Sequence, residues 1–354
     1  MNPFDKYMND NFSTAAETYQ TVFSTYDKNS DGFLDETEFT ELVKNLFNAK
    51  GDDTRIPSQL DTLFSIIDLN QDGLVNLEEF RYAWFYWIRQ ILRPVRALIV
   101  VDVQNDFISG SLSLSKCAAG QDGSAVVPVV NSLLNQDLFD IVVYSSDWHP
   151  EDHISFVENV KMRTMHPTSK TDAESAKVLD TVVFEFKGVP RVQTLWPKHC
   201  TQGSWGAQLH PDLKVAEKAF YINKGMNPDV DSYSSFWDND KLSKTELSTI
   251  LSENRVTDVY VSGLAYDVCV GFTAHHAVEH GFRTIFIEDA ARGVSLDGIA
   301  KMREDLLARG VYMTDSSEVP ALTKSEVRPL CLGIQAALNY QVAWKIVKQK
   351  TQSS

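Results

Sequence analysis

The chain has 354 residues, 43% hydrophobic and 23% charged, which suffices for two globular domains and excludes a mostly disordered protein. A formal net charge of −15 disfavours nucleic acid and anionic membrane as partners and favours metal cations. Four cysteines behind an N-terminus, MNPFDKYMNDNF, that lacks a basic stretch leading into an apolar core read as reduced thiols. The expected location is the cytoplasm, with the nucleus as an additional one, and no apolar run is long enough to span a bilayer.

Two stretches near the start repeat each other. DKNSDGFLDETE (Asp27 to Glu38) and DLNQDGLVNLEE (Asp68 to Glu79) both fit the twelve-residue EF-hand calcium loop. Asp27, Asn29, Asp31 and Asp35 supply side-chain oxygens in the first, with the Phe33 carbonyl and a bidentate Glu38. Asp68, Asn70, Asp72 and Asn76 do so in the second, with the Leu74 carbonyl and Glu79. Gly32 and Gly73 stand at the sixth position, where the turn needs freedom from a Cβ. Leu34 and Val75 are expected to join the loops through a short strand contact. The first loop carries four carboxylates against three, so it is expected to hold calcium more tightly.

The helix leaving the second loop, EEFRYAWFYWIRQILRP, is apolar nearly all round: Phe80, Trp84, Trp87, Ile88 and Ile91 on one face, Tyr82, Phe85, Tyr86 and Leu92 on much of the other. An EF-hand core face with a few exposed aromatics would explain this, and so would docking of the calcium lobe onto the next domain. Pro94 ends the helix and places the boundary between a small all-α domain, residues 1–94, and a second domain, residues 95–354.

Beyond Pro94, apolar β runs alternate with helical segments. Strands are predicted at Ala97 to Val101, Ile141 to Tyr144, Ala219 to Ile222, Val256 to Val261, Thr284 to Ile287 and Val311 to Met313. Such runs imply an α/β fold with a mostly parallel sheet flanked by helices. The stretch from Val157 to Leu195 fits the rhythm least and is read as an insertion in which TVVFEF forms a strand or hairpin.

Ligands of such sheets bind beyond the carboxyl ends of the strands, and the candidate chemistry lies there. Asp102 ends the first strand, followed by Gln104, Asn105, Asp106 and Phe107. Asp147 ends the second, followed by His149 and His153. Lys224 ends the third. After Val261, Ser262 and Gly263 break the run and helical spacing resumes near Val268, which puts Cys269 in the first turn of a helix. There the dipole and unpaired N–H groups are expected to lower a thiol pKa and to cradle an anion. A cysteine alone is more often a small buried hydrophobe. His275 and His276 are poor bases for it, since His276 stands roughly 10 Å along the same helix. Asp102, its pKa raised by burial and its charge offset by Lys224, is the better base. Asp147, His149 and His199 suit a first-row divalent ion with open positions. His153 is a further ligand or a lining residue, and Glu158 a weaker candidate.

ALIVVDVQNDF, SSDWHP, WPKHCTQGSWGA, INKG with YSSF, and SGLAYDVCV occur in the order of the motifs of the nicotinamidases, isochorismatase-like hydrolases, and the chain resembles that family from about Arg96 to its last strands. An EF-hand pair ahead of such a domain is similar to certain animal nicotinamidases, with the insect enzymes matching best. The resemblance implies an isochorismatase-like hydrolase fold and a catalytic triad of Asp102, Lys224 and Cys269. It implies Asp147, His149 and His199 as ligands of a metal, commonly zinc and sometimes iron or manganese, that holds the ring nitrogen of the small-molecule substrate nicotinamide. It further implies aromatic walls at Phe107, Trp196 and Tyr233, and a cis Leu264–Ala265 bond that turns the Ala265 N–H, with that of Cys269, toward the substrate oxygen. Nicotinamide would become nicotinic acid and ammonia through a Cys thioester, in NAD salvage. A carbamoyl-amide hydrolase, an isochorismatase, and a calcium sensor with an inactive partner-binding domain are the alternatives. Homo-oligomerisation and calcium control of catalysis stay open.

Overall fold

The computed structural model describes residue 4 and residues 15–47 and 56–352. Apart from Phe4, the N-terminal stretch read above for a leader lies outside the described residues. Among the described residues, no helix is long and apolar enough to cross a membrane.

The first lobe is built from helices Ala15–Tyr26, Glu36–Leu46, Ile56–Ile67 and Leu77–Ala83. Strands β1 (Phe33–Leu34) and β2 (Val75–Asn76) pair antiparallel with Leu34 opposite Val75, as the loop spacing predicts. Both loops form reciprocal capping boxes. Asp35 caps the helix whose third residue is Glu38, and Asn76 caps the helix whose third residue is Glu79. Gly32 and Gly73 take the left-handed φ that the sixth loop position requires, +87° and +84°.

The aromatic helix runs on from Ala83 through a π-helical turn (Trp84–Ile88) to Arg89–Leu92. Trp84 and Trp87 are fully buried and Tyr86 is exposed. The docking reading therefore holds, through an element the periodicity did not single out, the C-terminal helix Leu330–Gln352. Ala336, Ala337 and Tyr340 share one core with the lobe, and the Trp87 indole N–H donates to the Gly333 carbonyl at 2.9 Å.

The second unit is a six-stranded parallel sheet in the order β10 (Tyr312–Thr314), β9 (Arg283–Arg292), β8 (Asp258–Leu264), β3 (Arg96–Val101), β4 (Ile141–Asp147), β7 (Ala219–Lys224). Side chains alternate between its faces. Leu98 and Val100 enter the core that contains helix Val126–Leu134, while Ala97, Ile99 and Val101 enter the one formed with helices Leu247–Glu253, Gly271–Glu279 and Leu296–Ala308. The chain order reverses between β3 and its two neighbours, so a crevice opens at the carboxyl ends of β3, β4 and β8.

Several strands outrun their apolar runs. β4 continues to Asp147, β7 to Lys224 and β9 to Arg292. Ser262 and Gly263 do not end β8, which continues to Leu264. A Cβ on Gly263 would fall 2.0 Å from the Val101 carbonyl oxygen, so glycine here permits close strand approach and makes no break. The insertion forms an antiparallel hairpin, β5 (Thr181–Phe186) with β6 (Val189–Thr194), over a small core of Ile154, Val160, Val182, Phe184 and Leu195.

Candidate active site

Four strand ends deliver one buried cluster. Asp102 follows β3 with a left-handed φ of +50°. One of its oxygens, Oδ1, accepts from Ser145 Oγ at 2.7 Å. The other, Oδ2, lies 2.9 Å from Lys224 Nζ in an ion pair that forms no well-directed hydrogen bond. The Cys269 sulfur lies within 4.8 Å of a carboxyl oxygen of this group. Lys224, fully buried at the end of β7, also donates to Asp147 Oδ1, to the Ser232 carbonyl at 3.0 Å and to Cys269 Sγ at 3.4 Å. One ammonium thus bridges two carboxylates and a thiol in a buried site, where charges must be paired.

The electrostatics follow from that burial. Desolvation raises the Asp102 carboxyl above its ordinary range, although Lys224 opposes the shift. Burial also opposes ionisation of Asp147, but there Lys224 and then His149 outweigh it and hold the carboxyl well below the usual range. The Cys269 thiol is pushed well above its ordinary value, by burial first and then by Asp102 and Asp147 against the pull of Lys224. The expected lowering by a helix terminus is therefore corrected. Cys269 sits in a π-helical turn (Tyr266–Val270) ahead of helix Gly271–Glu279, and desolvation dominates whatever that short turn contributes. The resting thiol is protonated and needs a base.

Beside this cluster, Asp147, His149 and His199 bring one donor atom each within 4.8 Å of one another. His149 Nδ1 contacts the Gly225 carbonyl and His199 Nδ1 the Pro197 carbonyl, each at 2.8 Å. Both rings thereby turn Nε2 toward Asp147, at 3.6 and 3.7 Å. This is the outer support that metal-ligating imidazoles receive. His153 stacks on His149 with ring centroids 4.0 Å apart. Its Nδ1 meets Ser155 Oγ at 2.7 Å, and its buried Nε2 has no partner among the described residues. Burial, with His149 and His199 nearby, lowers the His153 pKa well below its ordinary value and keeps the ring neutral. Three converging donors and an orphaned buried nitrogen fit a divalent cation. Glu158 is exposed and accepts from the Lys198 N–H at 3.1 Å, so it does not join the donors.

A cleft of about 380 Å³ opens over both groups. Phe107, Trp196, Tyr233, Ala265 and Cys269 all line it, and the Leu264–Ala265 peptide is cis. Leu112, Leu114, Val268, Val294 and Asp231 line it as well and were not singled out from the sequence. The alternation SLSLS around the two leucines was their one available signal. Gln104, a loop residue by its sequence position, is fully buried. Its amide donates to the Asp147 and Ala207 carbonyls and accepts from the Asp147 N–H, fixing the end of β4. His276 is buried beside Trp237 on its helix, away from the cluster, as the distance argument requires.

Comparison with known proteins agrees with this geometry. The isochorismatase domain model matches residues 96–318, and an EF-hand domain pair matches residues 17–84. The nicotinamidase of Escherichia coli (strain K12) is 38% identical over 205 residues, covering 57% of this chain and 85% of that protein. The Saccharomyces cerevisiae nicotinamidase is 35% identical over 231 residues, covering 62% and 100%. Among solved structures, an Acinetobacter nicotinamidase superposes with a TM-score of 0.54 at 37% identity, covering 64% of this chain and 98% of that one. The yeast nicotinamidase bound to the inhibitor nicotinaldehyde gives 0.52 at 28%, covering 62% and 99%. With a parallel sheet, a cysteine at its switch point and relatives matched over most of their length, this chain belongs to the nicotinamidases of the isochorismatase-domain family and carries an EF-hand pair ahead of that domain.

Proposed function

We propose that the protein hydrolyses nicotinamide to nicotinic acid and ammonia, with Asp102, Lys224 and Cys269 as the catalytic triad. The observation that carries this reading is the single contact group of Lys224 Nζ with Asp102, Asp147 and Cys269 beneath an aromatic-walled cleft. Asp102 takes the thiol proton as the Cys269 sulfur forms a bond to the carboxamide carbon. The amides of Ala265 and Cys269 receive the developing oxyanion. Asp102 then passes its proton to the departing amine, which leaves as ammonia when the C–N bond breaks. Asp102 next takes a proton from water, the hydroxyl adds to the thioester, and the acid leaves as Cys269 recovers its proton. Lys224 stays charged and keeps Asp102 oriented toward the sulfur. Phe107, Trp196 and Tyr233 hold the flat ring.

Asp147, His149 and His199, with His153 as a further donor, would hold the metal, which supplies a Lewis-acid anchor for the pyridine nitrogen. One carboxylate with imidazoles suits zinc, and iron or manganese accept the same set. The EF-hand loops take calcium, the tighter site being the first. Residues 1–94 and 95–354 serve as the calcium and hydrolase domains.

Ammonia release from nicotinamide by the purified full chain tests the reaction. Because the base must be ionised and burial raises Asp102, kcat/KM should fall with acidification at a pH above the ordinary aspartate value of about 4. No ammonia from metal-loaded protein, or an acid limb at the ordinary value, would count against the triad. Gly225→Ala should weaken transition-metal binding by about 10- to 100-fold, the range for disturbed outer support. Its Cβ would fall 2.3 Å from His149 Cε1 at a φ of +65°. Competition with a chromogenic chelator measures the change.

A further inference from the structure

The C-terminal helix Leu330–Gln352 has two occupied faces. Gly333, Ala337, Tyr340 and Trp344 recur at the spacing of one helical stripe and face the calcium lobe. The Gly333 carbonyl accepts from Trp87, Ala337 and Tyr340 are buried in the lobe's core, and the Trp344 ring lies edge-on to Tyr82 with centroids 4.6 Å apart. A Cβ on Gly333 would strike the Phe47 ring at 2.2 Å, so only glycine fits that contact. The second stripe, Leu332, Gln335 and Asn339, faces the hydrolase domain. Leu332 enters the sheet's core. Gln335 accepts from the Thr284 N–H of β9 at 3.1 Å and donates to the Gly310 carbonyl. Asn339 donates to the Gly281 carbonyl at 2.6 Å.

The lobe's contacts with this helix come from Ile56–Ile67, the helix that enters the second calcium loop, and from the helices that leave both loops. Glu38, the twelfth residue of the first loop, is the third residue of the helix Glu36–Leu46, which ends at the C-cap Phe47. Glu79, the twelfth residue of the second loop, is the third residue of the helix that carries Tyr82 and runs on to Trp87. Both glutamates are buried, and among the described residues their oxygens accept from backbone N–H groups of their own loops. Calcium recruits this position as a bidentate ligand, and in sensor EF-hands the exit helices move to open an apolar groove for an amphipathic helix.

We propose that the groove of the EF-hand pair has its target within the same chain, the C-terminal helix, and that calcium seats this helix and through it braces the β9–β10 side of the hydrolase domain. The ions act on the two glutamates, the exit helices present Phe47, Tyr82 and Trp87, and the helix transmits the clamp through Leu332, Gln335 and Asn339. This places calcium control at the amino-terminal edge of the sheet, opposite the cleft, and does not depend on the amidase reading.

Amide hydrogen exchange on the full chain, loaded with its transition metal, tests the proposal with calcium present and with a calcium-selective chelator. The opening equilibrium constant of a state that alone binds calcium falls about a hundredfold per site at free calcium ~100 times the dissociation constant. Amides of residues 332–342 should therefore exchange about a hundredfold faster without calcium, while those of β3 and β4 keep their rates. Glu79→Gln in calcium should reproduce part of the fast exchange, and Gly333→Leu most of it. Should Gly333→Leu not fold, Trp344→Ala is the milder variant with the same expected direction. Equal exchange of residues 332–342 in both conditions, or a calcium effect confined to the loops and their own helices, would overturn the proposal.

Discussion

Cys269→Ala is expected to lower kcat for nicotinamide hydrolysis by about 10⁴-fold or more while transition-metal content stays at the wild-type level. The loss follows from removing the atom that forms the bond to carbon in the proposed reaction, for which deletion of a nucleophile in comparable hydrolases sets the scale. The metal should stay because Asp147, His149 and His199 are oriented by Gln104, Gly225 and Pro197, not by the thiol. Initial ammonia release and metal analysis on one preparation give both numbers. Residual turnover within about tenfold of wild type, in protein free of contaminating amidase, would remove Cys269 from the chemistry. The cleft would then need another nucleophile.

Lys224→Met carries the second large effect, on stability as well as rate. The wild-type ammonium is ion-paired with two buried carboxylates at once, and deleting one partner of a buried pair costs about 3–5 kcal/mol. Urea unfolding should show that loss as a lower midpoint with little change in slope. Asp102 gives the sign of the pH dependence. Its folded-state pKa already lies above the ordinary value and rises further without Lys224, so its ionised form costs stability at neutral pH. That cost shrinks as pH falls through the folded-state pKa, because protonation removes the unpaired charge. Adding Asp102→Asn to Lys224→Met should therefore restore part of the stability at pH 7 while leaving the protein inactive. A double variant whose loss equals the sum of the losses of Lys224→Met and Asp102→Asn measured singly would mean that Asp102 and Lys224 are not energetically coupled in the fold.

The EF-hand pair was legible in the sequence because a twelve-residue loop of this kind draws its ligand positions from one short stretch. Asp27 to Glu38 and Asp68 to Glu79 need no distant partner to be recognised. The parallel sheet was legible for a similar reason, since runs buried on both faces have to be continuously apolar. Its ends were not. β4 and β7 extend through Ser145, Asp147 and Lys224, polar residues that an apolar pattern excludes and that only a buried site satisfies. The same limit applies to Gly263, which periodicity reads as a break and which the approach of Val101 makes a packing requirement.

Chemistry divides along the same line. The sequence by itself determined the residue types, their order at successive strand ends and the resemblance that groups Asp102, Lys224 and Cys269 with Asp147, His149 and His199. Only the tertiary structure decided that one lysine serves both carboxylates and that burial raises the thiol instead of leaving it ionised. It alone showed Leu112 and Leu114 at the cleft, Gln104 fixing the end of β4, and the lobe clasping a helix about 250 positions away, Trp87 against Gly333. Desolvation and packing depend on what surrounds a group in space, and a residue's neighbours in the chain do not contain that information.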